Sequence, residues 1–246
     1  MEVRRASRST CFILAPMVLM FATCGCVGAH HEGSSRELST GSTLRDFLPK
    51  APSIAKYEGT RVYADGSTSK ITHTSYLIRI SEEGREHLVR TYEEEEETAV
   101  GLQSTEATTV YEVASGHIAV VSANMTKRGA MAPHEGRTIY DPPWILLRWP
   151  LRTGERWEQS VLSRIETERE KWPKEVPVNI SSVVRGEETI HTPAGTFRTW
   201  RIEQTVTEDQ EKFTYWWAKG RWLVKWRSEG RENSSLEVVD FKESVR

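Results

Sequence analysis

The sequence predicts an all-β, mainly antiparallel fold, with about ten or eleven strands in a meandering curved sheet or an incomplete barrel. Three observations lead to this prediction. Segments of alternating apolar and polar residues recur at a spacing of roughly 8–14 residues, Gly-containing turn signals separate them, and almost no stretch has a helical period. No repeat of fixed length is evident, which disfavours solenoids and propellers.

The extended segments begin after residue 53. Asp65-Gly66 is a two-residue hairpin signal after the first of them, and a loop from Lys127 to Pro143, rich in Gly and Pro, interrupts the rhythm near the middle of the chain. The candidate segments, from which we expect about ten or eleven strands, are in order Ile54–Tyr63, Ser69–Ile80, His87–Thr98, Thr108–Val113, Ile118–Met125, Trp144–Leu151, Arg156–Glu168, Val176–Val184, Phe197–Val206, Lys212–Ala218, Trp222–Arg227 and Leu236–Phe241.

Ahead of the strands, the N-terminal residues predict export. Arg4, Arg5 and Arg8 precede an apolar run of about a dozen residues, Cys11–Ala22. A membrane-spanning helix needs roughly 20 apolar residues. The shorter run is therefore typical of a secretory signal peptide.

Small residues after this run predict the cleavage site. Gly25-Cys26 resembles the end of a bacterial lipobox, in which the Cys is lipidated and becomes the mature N-terminus. We therefore predict a lipoprotein signal peptide over residues 1–25 and lipidation at Cys26. Cys24 is an alternative lipidation site, and cleavage after Ala29 would instead release a soluble exported protein.

The residues between the signal peptide and the strands are typical of a linker. Residues 26–52 hold the predicted lipid anchor and a flexible, polar, Gly/Ser-rich stretch. One short helical turn is expected over Thr43–Pro49. Since no second linker follows, residues 53–246 are expected to form a single antiparallel β domain.

Composition and cysteine placement exclude several classes of protein. The 246-residue chain is 37% hydrophobic and 28% charged with a net charge of -2, so it can bury a core and has no overall charge that would attract nucleic acid. All 3 Cys lie between positions 11 and 26. The folded body is therefore predicted to have no disulfide, no thiolate nucleophile and no Cys metal ligand.

Three motifs in the second half of the chain carry a family resemblance. They are Pro150–Trp157, Pro193–Phe197 followed by Trp200, and Tyr215–Gly220 with Leu223–Lys225. Together they resemble bacterial envelope lipoproteins of the TapB-like type, which are similar in turn to the lipoprotein carriers LolA and LolB. The resemblance implies an incomplete antiparallel barrel closed by a helical lid, and an envelope location. It implies no catalytic residues.

The tryptophans are the candidate site. Trp216 and Trp217 are adjacent, so in a strand they face opposite sides of the sheet. If one side is core, the tryptophan on the other needs a ligand, a partner, the membrane interface or a covering part of the chain. Trp216, Trp217, Trp222 and Trp226 are the predicted ligand or partner surface. The alternative is that both faces are covered and these residues are core.

The remaining polar residues indicate no enzyme. Glu93–Glu97 is expected to be a solvated acidic edge that discourages strand pairing. The histidines lack metal-binding spacing, and no nucleophile, Walker or dinucleotide motif is present. We predict no catalytic residue, no metal site and no cofactor.

These observations favour a non-enzymatic exported lipoprotein, anchored in the outer membrane and facing the periplasm, that acts as a binding or assembly module for a hydrophobic ligand or an envelope protein. The first alternative is a structural or protein-interaction domain without a small-molecule ligand. A remote alternative is a hydrolase, for which His134 and Asp141 would form an acid–base pair without a nucleophile. A soluble periplasmic or secreted location is the alternative to anchoring, nucleic acid is not an expected partner, and the sequence leaves the oligomeric state open.

Overall fold

The computed structural model describes residues 43–50, 52–82, 85–99, 101–129, 134–168, 170, 172–207, 210–230 and 232–243. Within these residues the chain forms one short 3-10 helix and twelve strands, each paired antiparallel with its neighbours in a closed barrel. The helix is Leu44–Phe47, and the strands are β1 (Ser53–Val62), β2 (Thr68–Glu82), β3 (Arg85–Thr98), β4 (Gly101–Val113), β5 (His117–Arg128), β6 (His134–Arg148), β7 (Arg156–Thr167), β8 (Lys174–Thr192), β9 (Gly195–Val206), β10 (Glu211–Ala218), β11 (Trp222–Glu229) and β12 (Asn233–Glu243).

Alternation of side chains builds these strands and confirms the predicted antiparallel all-β fold. In β1, for example, Ala55 and Tyr57 are buried, whereas Ile54 and Lys56, at the alternate positions, are exposed. Successive side chains of a strand point to opposite faces of the sheet, so one set fills the interior and the other meets solvent. The same pattern in most of the other strands yields a single enclosed interior.

The barrel closes through β1 and β12, which lie at the two ends of the described strands. Ser53 is opposite Glu243, and Val62 is opposite Asn233. On its other side β1 pairs with β2 over its whole length. The structure is therefore a complete barrel of twelve strands, where the sequence predicted about ten or eleven strands in a curved sheet or an incomplete barrel.

Most of the expected loop from Lys127 to Pro143 is strand. β6 runs through Pro142 and Pro143, residues that lack the backbone N–H that a ladder requires. They are tolerated because they lie within a register shift between β5 and β6, in the unpaired stretch between Ile139 and Trp144, and because the ladder between β6 and β7 ends at Asp141.

The short helix covers one end of the barrel, which we call the near end because β1 begins there; the opposite end is the far end. Phe47 is fully buried and packs on Trp149 with ring centroids 5.7 Å apart. The carbonyl of Asp46 accepts a hydrogen bond from the backbone N–H of Gly220 at 2.6 Å. The predicted helical turn is thus confirmed, and it ties the start of the domain to the turn between β10 and β11.

Two clusters of buried side chains form the core. The main core cluster fills the barrel interior from the helix to the middle of the strands, and its largest fully buried members are Trp144, Trp217, Phe47 and Phe213. The small core cluster contains Ala55, Tyr57, Ile71, Trp216, Ala218, Val224, Leu236 and Val238. No helix in the described part of the chain is long and apolar enough to cross a membrane.

Candidate functional site

Trp216 and Trp217 face opposite sides of β10, as the alternation predicted. Trp217 is 1% exposed and belongs to the main core cluster, whereas Trp216 is 9% exposed and belongs to the small one. Ile190, Ala194 and Phe197, from the hairpin between β8 and β9, pack against the small core cluster. The chain itself therefore covers both tryptophans.

Trp222 and Trp226, on β11, also pack against protein. Trp222 has a positive φ of 67° and lies edge-to-face on Trp217, with ring centroids 4.9 Å apart. Trp226 is half-buried and packs against both core clusters. The structure thus places the four predicted site residues in or against the core, and a ligand at these residues stays a prediction. Cys26, the predicted lipidation site, lies outside the described residues.

The expectation of a solvated acidic edge is wrong for two residues of the Glu93–Glu97 run. β3 is not an edge, because it pairs with β2 on one side and β4 on the other. Alternate side chains of such a strand must face the interior, and Glu94 and Glu96 do so with exposures of 8% and 3%. Glu93, Glu95 and Glu97 are on the outer face, as expected of solvated carboxylates.

The two buried glutamates belong to an ionic cluster in the barrel interior, formed with Arg61, His73 and Arg90. Nη2 of Arg61 donates to Glu94 at 3.0 Å, and Nη1 donates to Glu96. Glu96 also accepts hydrogen bonds from the hydroxyls of nearby side chains, those of Tyr63 and Ser69. Buried carboxylates need such partners, since desolvating an unpaired charge is strongly unfavourable.

His73 is the neutral member of the ionic cluster. Its Nε2 lies 2.8 Å from Nη2 of Arg90, and its Nδ1 lies 3.3 Å from a carboxylate oxygen of Glu94. A guanidinium only donates, so Nε2 must accept and the proton must be on Nδ1, where it is donated to Glu94. Burial lowers the pKa of His73, and this effect together with the charge of Arg90 outweighs the opposing influence of Glu94.

The pKa of Glu94 is also displaced. Burial alone would raise it, but the hydrogen bond to His73 and the charge of Arg61 lower the pKa of Glu94 to about 2. The cluster then holds two guanidinium groups, two carboxylates and one neutral imidazole. Because its acids and bases bind one another across β1, β2 and β3, the arrangement is suited to holding these strands together.

A separate groove lies on the outer face of β3 to β7, toward the far end. It has a volume of about 600 Å³. Ten of its lining residues occupy outward-facing positions of five adjacent strands or, for the last of them, follow directly after β7: Thr91, Glu93, Glu106, Thr108, Asn124, Thr126, Glu135, Arg137, Glu166 and Glu168. The residues between these positions complete the lining: Tyr92, Ala107, Met125, Gly136 and Thr167. None of the four predicted tryptophans lines this groove.

The strand register explains how the groove residues come together. Glu106 is opposite Glu93 on one side and Thr126 on the other, and Thr126 is opposite Glu135. One row of side chains thus crosses four strands. Register shifts at Val110/Tyr111 and Val120/Ser122 interrupt the β4–β5 and β5–β6 ladders farther along the strands. Irregularities of this kind bend strands locally.

The groove is acidic, and we call it the acidic groove. Five carboxylates line it, those of Glu93, Glu106, Glu135, Glu166 and Glu168, together with the one guanidinium of Arg137. Arg128 pairs with Glu106 at 2.7 Å, but both side chains are at least half exposed, so the pair is weak and exchangeable. Single-sequence reasoning missed this site because its residues are far apart along the chain and form no motif.

Among the described residues, no group of three or more His, Cys, Asp and Glu side chains is arranged to hold a metal ion. The carboxylates of the acidic groove lie in rows along its surface. Such a row is suited to several separate ion pairs with one extended partner.

These features define a class of protein: a closed, twelve-stranded antiparallel barrel with side chains filling its interior and an acidic groove on its outer wall. The sequence matches no protein-family model, and no curated protein matches it at a significant level. One solved structure with a similar fold is a candidate exported protein with a YmcC-like fold from Bacteroides fragilis. It is 13% identical, the match covers 81% of this chain and 100% of that one, and the TM-score is 0.49. Likeness at this level says nothing about function.

Proposed function

We propose that this chain is an exported, lipid-anchored protein of the bacterial envelope, not an enzyme, that binds a cationic segment of another envelope protein in the acidic groove. The signal-peptide pattern ending before Cys26 supports export and anchoring. The resemblance to TapB-like lipoproteins supports the same location. The acidic groove supports the binding role.

The acidic groove is the single observation that carries the binding role. Its volume of about 600 Å³ is in the range of ligand sites, and it spans five strands. Five carboxylates and the guanidinium of Arg137 line the groove. Two of the carboxylates, Glu106 and Glu166, form exposed pairs with Arg128 and Arg164, and such pairs are weak. The groove therefore stays acidic, and Lys and Arg side chains are its complementary groups. Because these carboxylates are largely exposed, we expect their charge to steer association and select partners more than to give tight affinity.

An oligolysine peptide provides a direct test of the acidic groove. In the triple variant Glu106→Gln, Glu135→Gln, Glu166→Gln, we expect the affinity of the full chain for the peptide to fall roughly tenfold, at about 0.5 kcal/mol per carboxylate. The matched control is Glu58→Gln, Glu95→Gln, Glu97→Gln, which removes three outward-facing carboxylates that do not line the groove. Calorimetric titration at several salt concentrations gives both affinities.

Equal losses in the two triple variants would show that the peptide senses overall charge and would contradict a groove site. Absence of binding by the unmodified chain at low salt would contradict it as well. An oligoglutamate peptide should not bind in either case.

Anchoring is tested separately by cell fractionation. Cys26→Ala should move the protein from the membrane fraction to the soluble fraction. Cys24→Ala is the matched control and should leave it in the membrane. The reverse pattern would assign the lipid to Cys24, and a soluble unmodified chain would contradict anchoring altogether.

Binding of a hydrophobic ligand at Trp216, Trp217, Trp222 and Trp226 is the second candidate function. It rests on Trp226, which is half-buried whereas the other three tryptophans are buried, and which therefore has indole surface left to meet a ligand. Native mass spectrometry of the full chain before and after organic extraction tests this candidate. A bound species that is absent from Trp226→Ala would support it, and identical masses throughout would contradict it.

A further inference from the structure

The outer face of β1 and β2 carries an apolar patch close to the near end of the barrel. Its members are Ile54, Tyr76, Ile78 and Ile80, with exposures of 37%, 40%, 44% and 41%. Ile54 lies directly opposite Tyr76, and Ile78 and Ile80 follow Tyr76 at alternate positions of β2. Four neighbouring large apolar side chains on one face form a patch of the kind that marks an interaction surface.

The apolar patch occupies one half of the strands. Ile78 is opposite Val89 on β3, and Val89 is opposite Val110 on β4, so the apolar surface extends sideways across the sheet. Toward the far end, the outer positions of β2 are polar, with Thr72 and Lys70. The change from apolar to polar therefore follows the direction of the barrel axis.

Cationic side chains border the apolar patch. Lys242 lies opposite Ile54, its side chain is 71% exposed and it pairs with Asp240 at 3.3 Å; Lys56 is exposed on the same face of β1. Arg45, in the near-end helix, is 72% exposed and pairs with Glu86 at 2.9 Å. Pairs made by such exposed cations are weak, so these cations can also meet lipid phosphates. Apolar residues rimmed by Lys and Arg are the combination that favours the interface of an anionic lipid bilayer.

The chain enters the domain at this same end. Thr43 immediately precedes the helix that covers the near end, and only 16 residues, 27–42, separate it from Cys26. A chain of that length reaches at most about 55 Å when fully extended. A lipid at Cys26 would therefore keep the near end within reach of the bilayer.

We propose that the apolar patch rests on the anionic lipid surface in which Cys26 is anchored. This inference rests on the proposed function for the anchor, and it adds a defined orientation of the barrel. Ile54, Tyr76, Ile78 and Ile80 insert among the headgroups while the bordering cations meet lipid phosphates. The acidic groove adjoins the patch where Thr91 lies opposite Tyr76. From there the outward carboxylates of β3, Glu93, Glu95 and Glu97, follow toward the far end, so repulsion from the anionic surface turns the acidic groove away from the bilayer.

The body of the protein has no cysteine after Cys26, so a single introduced cysteine can carry a fluorescent label. The full chain with Ile78→Cys is labelled, reconstituted into phosphatidylcholine vesicles containing one quarter phosphatidylglycerol, and quenched with brominated lipid. We expect the label at 78 to lose most of its emission. The matched control is Glu95→Cys, also on the outer face but at the far end, whose emission should be unchanged.

The unmodified chain, labelled in parallel, measures any reaction at the native cysteines. A chain that floats with the vesicles but whose label at 78 is not quenched would overturn the patch while leaving the anchor intact. A chain that does not float at all would overturn both. Quenching at 78 and 95 alike would overturn the proposed orientation.

The bordering cations provide a second readout. The double variant Lys56→Gln, Lys242→Gln is made in the chain labelled at 78. Binding of its patch to the anionic vesicles, measured by quenching of the label, should weaken by about fivefold per cation removed. Pure phosphatidylcholine vesicles should abolish this difference. A difference that persists there would contradict a role for lipid charge.

Discussion

Nη2 of Arg90 donates a hydrogen bond to Nε2 of His73 across 2.8 Å in the barrel interior. This contact requires an unprotonated Nε2, so the ionic cluster is intact only while His73 is neutral. The side chains that face His73 come from several strands: Tyr57 from β1, Arg90, Tyr92 and Glu94 from β3, and Trp226 from β11. The imidazole is thereby enclosed on all these sides, away from solvent.

Stability is expected to fall as the pH is lowered. The pKa of His73 is lower in the folded chain than its ordinary value of 6.5, so below pH 6.5 the unfolded chain binds more protons and the folded state loses stability. The lowered pKa of Glu94, about 2 against an ordinary 4.5, adds a second loss between pH 4.5 and 2. Urea unfolding, followed by tryptophan fluorescence at a series of pH values, measures both losses of stability.

In His73→Gln, the free energy of unfolding should depend less on pH just below 6.5. His191→Gln, at an exposed site, should leave this pH dependence unchanged. A stability that rises as the pH falls from 6.5 would contradict a neutral His73 in the folded protein.

Replacing Arg61 should strongly destabilise the folded state. Arg61→Met leaves Glu94 and Glu96 buried without their shared guanidinium, and breaking a buried pair in this way destabilises by about 3–5 kcal/mol. The added change Glu96→Gln should recover part of that loss because it removes one uncompensated charge. The control Arg128→Met, at an exposed pair, should change the free energy of unfolding by about 1 kcal/mol or less. Similar losses in both single variants would contradict the assignment of Arg61 to a buried cluster.

Gly59 marks a close approach at the seam that closes the barrel. A Cβ at this position would overlap the carbonyl oxygen of Ser235 and the Cα of Leu236 on β12. Gly59→Ala should therefore destabilise by at least about 2 kcal/mol and speed amide exchange in β1 and β12. Gly116→Ala is the control, since its Cβ would meet only one atom at 3.9 Å; comparable effects of the two would argue against this packing.

Replacing the two adjacent tryptophans by alanine should affect stability and amide exchange differently. Trp217→Ala opens the main core and should destabilise by about 3–5 kcal/mol. Trp216→Ala should also destabilise, but with the largest increase in amide exchange in the β8–β9 hairpin that packs against it. Trp172, which is 75% exposed, is the control, and Trp172→Ala should stay within about 0.5 kcal/mol. A negligible loss for Trp216→Ala would mean that Trp216 is not part of the core.

Much of the local structure followed from residue patterns. The helical turn near Thr43, the extended segments and the opposite orientations of Trp216 and Trp217 were all predictable, because each depends on residues close together in the chain. The Glu93–Glu97 run shows the limit of such reasoning. Its composition indicated a solvated edge, but the position of β3 between two partners forced alternate glutamates inward.

By itself, the sequence determined the class of fold, since period-two alternation admits only strands with two different faces. Only the tertiary structure decided that β1 and β12, about 190 positions apart at their ends, pair to close the barrel. It likewise decided that the β8–β9 hairpin covers Trp216 and that carboxylates from four strands, together with Glu168 just after β7, align in the acidic groove. The physical reason is that alternation specifies which side chains share a face, whereas what covers that face depends on contacts between distant segments.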